Sequence, residues 1–218
     1  MFLTEAQDLF PELKALKDDL HRHPEVSFQE RRTTARIKEL LAPPLGLELI
    51  DLGMETGVTA LLRGSRPGKT VALRADIDAI VQDTPERGAV VSEHPGVMHA
   101  CGHDFHTAGL YGAAVLLSEL QDTLPGGVIF LFQPSEETPG GARLLLDHGL
   151  WARFPEKPRW IFGVHNRPQL PAGTIAVTPG PLMAEKSNFT ITLHGRTGHG
   201  GSPHRCVDVI VPAAAIVQ

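Results

Sequence analysis

Three short apolar segments constrain this chain most: Val71 to Ala75, Val128 to Phe132 and Trp160 to Val164 each run directly into polar residues. The first is followed by Asp76-Ile77-Asp78, the second by Pro134-Ser135-Glu136-Glu137 and the third by His165-Asn166. Apolar runs of this length, rich in β-branched and aromatic residues, are strand candidates. In open α/β sheets, ligand sites form beyond the carboxyl ends of the strands, so such a sheet would gather residues far apart in sequence. One acid after a strand is usually a turn former or a helix cap. Three polar strand ends in one chain point to a shared site.

The remaining pattern supplies the helices. Thr4 to Leu20 is amphipathic, with Leu9, Leu13, Leu16 and Leu20 on one face and Thr4 with Gln7 as a capping box, and His23-Pro24 stops it. A second helix is predicted over Gln29 to Leu41, ahead of Pro43-Pro44, with strands over Leu47 to Leu52 and Val58 to Leu62. After a loop rich in Pro and charge, His106 to Leu120 has the small and apolar content of a buried helix, and Gly141 to Asp147 is a short one. Alternating helices and strands predict an α/β fold in three layers, with a mixed, mainly parallel sheet. Near Gly180-Pro181 the texture changes to an alternating strand over Ser187 to Leu193, a Gly/His loop and a helix over Val207 to Val217 that contains Pro212. These last elements bury too little to stand alone, so the expected division is a catalytic domain over 1–182 and the truncated start of a second, α+β domain over 183–218.

Of the 218 residues, 42% are hydrophobic and 21% charged, the balance of a folded soluble protein rather than a disordered one. A net charge of -5 gives no electrostatic reason to bind nucleic acid or an anionic membrane. No apolar run is long enough for a membrane-spanning helix and no signal peptide precedes the first helix, so a cytoplasmic address is the expectation. Two cysteines are too few for a disulfide scaffold.

Cys101 belongs to His99-Ala100-Cys101-Gly102-His103-Asp104-Phe105-His106, which packs thiol, imidazole and carboxylate together just ahead of a helix. A helix N-terminus lowers a thiol pKa and favours the metal-binding thiolate. Gly102 between Cys101 and His103 permits a tight backbone path that aims both at one place. The same segment is compatible with a core cysteine, a capping Asp and surface histidines. Adjacent Glu136 and Glu137 can divide labour, one holding a metal and the other handling a proton, although such pairs are often only solvated acids.

In order along the chain, His21-Arg22-His23-Pro24-Glu25, Ala72-Leu73-Arg74-Ala75-Asp76-Ile77-Asp78-Ala79, Met98 to Thr107, Phe132-Gln133-Pro134-Ser135-Glu136-Glu137, His165-Asn166 and Gly195 to His204 carry a resemblance. They resemble the metal-dependent amidohydrolases that include hippurate hydrolases, N-acyl-amino-acid amidohydrolases and indole-acetyl-amino-acid hydrolases, grouped with aminoacylases and di-zinc carboxypeptidases. The resemblance implies that Cys101, His103, Glu137 and His165 are metal ligands and that Glu136 is the general acid/base. It further implies that Asp78 orients a ligand, and that His199, on a lid and dimerisation domain, binds the substrate carbonyl as charge develops. Asp76 is left open between a site role and a structural one. The implied cofactor is one or two divalent ions, with Zn, Mn, Co and Ni all suited to mixed S, N and O donors. The implied partners are an N-acyl amino acid or peptide-like substrate and a second copy of the chain through the lid.

Departures from the pattern accompany the matches. The family supplies a further His ligand far downstream of the position of Gln218, which leaves one metal position short and the activity of this chain open. Ala79-Ile80-Val81-Gln82 lacks the Pro usual after the acidic motif, and Phe105 stands where a small residue is common. Metal-assisted hydrolysis of N-acyl amino acids is the leading expectation. Its rivals are a peptidase or other amidase of the same kind, a metal-binding but inactive fragment, and a hydrolase using Cys101 as nucleophile.

Overall fold

The computed structural model describes residues 2–42, 45–82, 88–182, 187 and 189–218. They form two compact units, Met1–Gln169 and Leu170–Gln218.

The first unit opens with helices α1 (Phe2–Arg22) and α2 (Arg31–Leu41). Because α1 already runs from Phe2, Thr4 lies inside its first turn and is not the cap expected of it. The start of α2 is capped from a distance: the Glu25 carboxylate accepts the backbone N–H groups of Arg32 and Thr33 at 2.9 and 2.8 Å, satisfying donors that have no partner within the helix. Pro43-Pro44, the expected stop after α2, lies outside the described residues.

Strands β1 (Glu48–Ile50), β2 (Val58–Arg63) and β3 (Val71–Asp76) follow, then the two-residue strands β4 (Ile80–Val81) and β5 (Val97–Met98), helix α3 (His103–Ser118), strand β6 (Gly127–Gln133), helix α4 (Gly141–Asp147) and strand β7 (Ile161–Gly163). The main sheet has the order β1-β2-β6-β3-β7. β6 and β7 run parallel to β3, while β1 with β2 and β2 with β6 are antiparallel, so the mixed sheet divides evenly between the two kinds of pairing.

β6 is buried along its whole length, and its side chains alternate between two cores. Val128, Phe130 and Phe132 join Leu16, Leu20, Ile37 and Leu41 under α1, α2 and α3. Ile129 and Leu131 join Leu145 and Leu150 beneath α4. This gives the three-layer α/β arrangement, and it explains why the strand reads as one unbroken apolar run: both faces are covered.

The parallel register places the carboxyl ends of β3, β6 and β7 along one edge, with Asp76 opposite Gln133 and Arg74 opposite Gly163. The small β4–β5 ribbon pairs Ile80 with Met98 and turns the chain back, so that His99 to His103 return to the end of β3. Part of the Pro- and charge-rich loop between these two strands, residues 83–87, lies outside the described residues. Helix α3 begins at His103, three residues before the expected start, which puts His103 and His106 on adjacent turns of the same face.

In the second unit, the strand expected over 187–193 is absent among the described residues. Alternation names a face but supplies no partner strand, and Phe189 and Ile191 remain 83% and 51% exposed. Arg196 and Val207 form an isolated antiparallel bridge. The final helix, α5 (Ile210–Val217), starts at Ile210, whose N–H is capped by Asp208 Oδ1 at 2.8 Å. Pro212 therefore sits in the first turn, where its missing N–H costs nothing. Among the described residues, no helix is long and apolar enough to cross a membrane.

Candidate metal centre

His103 is the hub. It is buried at the start of α3, with Nδ1 2.9 Å from the Asp78 carbonyl oxygen and 3.1 Å from Asp78 Oδ1. Both are acceptors, so Nδ1 carries the proton and Nε2 presents a lone pair. That Nε2 is shielded from solvent and has no hydrogen-bond partner, an arrangement that costs free energy unless something binds there. His165, just beyond β7, is held in the same way: its Nδ1 lies 2.8 Å from the Asn166 carbonyl oxygen and its Nε2 3.4 Å from Cys101 Sγ.

Cys101 Sγ and one nitrogen each of His103 and His165 lie within 4.8 Å of one another. Gly102 makes this convergence workable. Its φ of +84° is the left-handed conformation that carries a cost for residues with a Cβ, and a Cβ there would overlap the Asn166 side chain. Two lone-pair nitrogens and a thiol around a small gap suit a divalent ion such as Zn, Mn, Co or Ni.

The two acids after β6 approach the same hub. Glu136 Oε2 and Glu137 Oε1 are each 3.9 Å from His103 Nε2. The pair differs in exposure, 43% for Glu136 and 23% for Glu137. Asp78 ties the acids to the hub, because its Oδ2 accepts the Glu137 N–H at 2.9 Å while its Oδ1 faces His103.

The electrostatics of Cys101 run against the expectation from its place near a helix N-terminus. Burial, then the neighbouring charge of Glu137 and a hydrogen bond to it, push the thiol up to about 12. A helix end carries only about half a charge, and Glu136 and Asp76 add to the opposing field. Metal-free, this cysteine is a thiol; a cation among these acids favours the thiolate. His103 moves upward as well: burial disfavours its charged form, but the Asp78 hydrogen bond and the charges of Asp76, Asp78 and Glu137 outweigh it.

Asp76 takes part in a separate buried network. Its Oδ1 receives His106 Nδ1–H at 2.6 Å and its Oδ2 receives an Arg74 N–H at 2.7 Å. Burial opposes ionisation, yet the His106 hydrogen bond and the charges of His103 and Arg74 hold its carboxyl down to about 2. Asp76, His103 and His106 also converge closely enough to hold an ion. The donors of Asp76 and His106 are already engaged with each other, however, which makes this group a support. His106 extends it to the third strand end, its Nε2 lying 2.7 Å from Asn166 Oδ1 and 3.1 Å from the Asn166 backbone nitrogen.

Reasoning from sequence missed His106; the spacing of His103 and His106, three apart on a helix, is the signal that marks it. His99 is buried with neither ring nitrogen partnered, and burial pushes it down to about 4, so it is neutral and stands outside the converging groups among the described residues. His199 belongs to the second unit, where its Nδ1 accepts the Gly201 N–H at 3.1 Å.

The family described as Peptidase family M20/M25/M40 matches residues 72–216. An N-acetylcysteine deacetylase of Bacillus subtilis (strain 168) is 43% identical over 204 residues, covering 93% of this chain and 52% of the relative. An N-acyl-L-amino acid amidohydrolase of Geobacillus stearothermophilus is 41% identical over 204 residues, covering 93% of this chain and 54% of the relative. Among solved structures, the YXEP protein of Bacillus subtilis, described as a dinuclear metal binding peptidase from the M20 family, aligns with a TM-score of 0.75 at 43% identity. That alignment covers 81% of this chain and 48% of the other. The chain spans about half the length of the curated relatives it matches.

Proposed function

The chain belongs to peptidase family M20/M25/M40, and on that premise we propose that it serves metal-dependent hydrolysis of the amide bond of N-acyl amino acids. The observation that carries this reading is the buried, unpartnered Nε2 of His103 beside Cys101 and His165, with two carboxylates 3.9 Å away. Relatives named as deacetylases and amidohydrolases of acylated amino acids support the substrate class. Hippurate and indole-acetyl-amino-acid conjugates are its proposed members.

In this reading Cys101, His103, Glu137 and His165 hold one or two divalent ions, with Asp78 fixing the His103 tautomer. When bound, the ion supplies Lewis acidity that polarises the amide carbonyl and acidifies the attacking water. Glu136, the more exposed acid, takes one proton from that water as oxygen attacks the carbonyl carbon. It then returns the proton to the leaving nitrogen, the C–N bond breaks, and carboxylate and amine depart. His199 is assigned to the substrate carbonyl, where a hydrogen-bond donor would meet the developing negative charge. The same reading assigns residues 1–182 to the catalytic domain and 183–218 to a lid and dimerisation segment, and places the protein in the cytoplasm.

Metal content and turnover, measured together on a panel of N-acyl amino acids and short peptides, test the proposal. Glu136→Gln is expected to retain bound metal and to lose turnover. Full activity in that variant would remove Glu136 from its role. Metal-loaded wild-type chain that cleaves no amide in the panel would overturn the hydrolytic reading.

A further inference from the structure

The two acids sit on a loop whose backbone is held from an unexpected quarter. Between α1 and α2, Ser27 and Glu30 reach across to residues 135–138. Glu30 Oε1 accepts the Ser135 N–H at 2.8 Å, and Ser27 Oγ accepts the Thr138 N–H at 3.1 Å. Ser27 donates its own proton to Asp78 Oδ2 at 2.7 Å, the same oxygen that receives the Glu137 N–H. The connection is also stitched to the end of β3, where the Ala79 N–H is 2.8 Å from the Glu25 carbonyl oxygen.

Both partners are under backbone strain. Among the described residues, Phe28 and Ser135, with φ of +64° and +51°, are the non-glycine positions with positive φ. They lie on the two segments joined by these bonds. Such conformations cost free energy and persist only where the surroundings over-determine them. Glu30 adds a further cost: its side chain is wholly buried and its Oε2 has no hydrogen-bond partner. The carboxyl also takes backbone hydrogen bonds from Phe28 and from Glu30 itself, so one buried side chain ties the acid loop to the α1–α2 connection. A carboxyl that leaves an oxygen bare is otherwise a poor way to fill a core.

We propose that the α1–α2 connection is a clamp that sets the Glu136-Glu137 pair against His103, with Glu30 and Ser27 as its positioning residues. The proposal rests on the reading of Glu137 as ligand and Glu136 as proton carrier. Three backbone N–H groups, those of Ser135, Glu137 and Thr138, are taken by Glu30, Asp78 and Ser27 in turn. The two acids therefore leave a backbone fixed on both sides, and neither has to order its loop when an ion or substrate arrives. Removing one acceptor frees the loop without touching a donor of the metal centre.

The test compares Glu30→Gln, which keeps an acceptor oxygen without the charge, with Glu30→Met, which fills similar volume with no acceptor. In the full chain, Glu30→Met is expected to raise amide hydrogen exchange across residues 133–139 by about tenfold or more. It should also weaken metal retention against a chelator by about tenfold, with Glu30→Gln recovering both to within about threefold of wild type. A residue that merely packs the core predicts the opposite order, Met as good as Glu. Wild-type exchange and metal retention in Glu30→Met would overturn the clamp, as would a Gln variant as impaired as Met.

Should Glu30→Met fail to fold, Ser27→Ala decides, because it removes the acceptor of the Thr138 N–H from a partly exposed site. Faster exchange at residue 138 supports the clamp and unchanged exchange there defeats it; metal retention does not decide for this variant, because Ser27 also donates to Asp78 Oδ2. Amide exchange needs neither metal nor substrate. An inactive wild-type chain with the expected exchange pattern therefore counts against the hydrolase reading alone, and unchanged exchange in an active enzyme counts against the clamp alone.

Discussion

Asp78 Oδ1 lies 3.1 Å from Nδ1 of His103, and the second oxygen of the same carboxylate accepts the Glu137 N–H at 2.9 Å. One buried side chain thus orients an imidazole and anchors the loop that carries the acids. Burial opposes its ionisation, but the hydrogen bonds from His103, Ser27 and Glu137 hold its carboxyl below the usual range, so it is charged at neutral pH. Carboxylates behind ligating histidines fix the tautomer and strengthen the donor.

Asp78→Ala is accordingly expected to weaken metal binding by about tenfold to a hundredfold. The measurement is metal per chain after equilibration with graded chelator, alongside a circular dichroism spectrum to show that the fold persists. Unaltered retention in a folded variant would mean that His103 needs no such support.

Gly141 opens α4 and lies tight against the acid loop, its N–H donating to the Ser135 carbonyl oxygen at 3.2 Å. A Cβ there would overlap the Pro134 carbonyl oxygen and approach the Ser135 oxygen to 2.6 Å. Neither is a side chain that can swing aside. Gly141→Ala should therefore push the loop away from His103 and lower both turnover and metal affinity by about tenfold or more. It should also cost about 1–3 kcal/mol of stability from overpacking. Parallel kinetics and urea denaturation check this, and a variant with wild-type kcat would show that the loop can shift without disturbing the acids.

The Tyr111 hydroxyl donates to Glu12 Oε1 at 2.7 Å and links α3 to α1. Burial, then the hydrogen bond to Glu12 and its charge, push the phenol up to about 12, against an ordinary value of about 10. The folded chain keeps this proton longer than the unfolded chain does, so the contribution is complete below the unfolded pKa and is lost as pH rises through the folded one. Tyr111→Phe should cost about 1 kcal/mol near pH 8. The wild-type advantage should shrink between about pH 10 and about 12, because the variant has no phenol to ionise. Denaturation midpoints of both chains across that range give the comparison, and a gap that stays constant would contradict it.

Local signals were sufficient where one stretch of chain carries its own physics. β6 was legible because a run of apolar residues bounded by Gly126 and Pro134 has little choice but to be a covered strand. Cys101 and His103 were legible as a pair because a left-handed Gly between them aims both side chains to one side. His106 and Asp76 were not: their hydrogen bond joins positions 30 residues apart, and nothing in either neighbourhood announces the other. The strand expected over 187–193 shows the converse, since alternation is a local property and pairing is not.

By itself, the sequence determined the α/β class, the positions of the central strands, and the chemical types of the groups at the strand ends. Those follow from side-chain periodicity and from covalent order. Only the tertiary structure decided that Cys101 would be a high-pKa thiol among acids, that His103 would keep an unpaired Nε2, and that a loop near the N-terminus would take the backbone N–H groups of Ser135 and Thr138 on either side of the two acids. Each of these depends on which charges and donors come within a few ångströms through folding, and electrostatic energy answers to distance in space and to burial, not to separation along the chain.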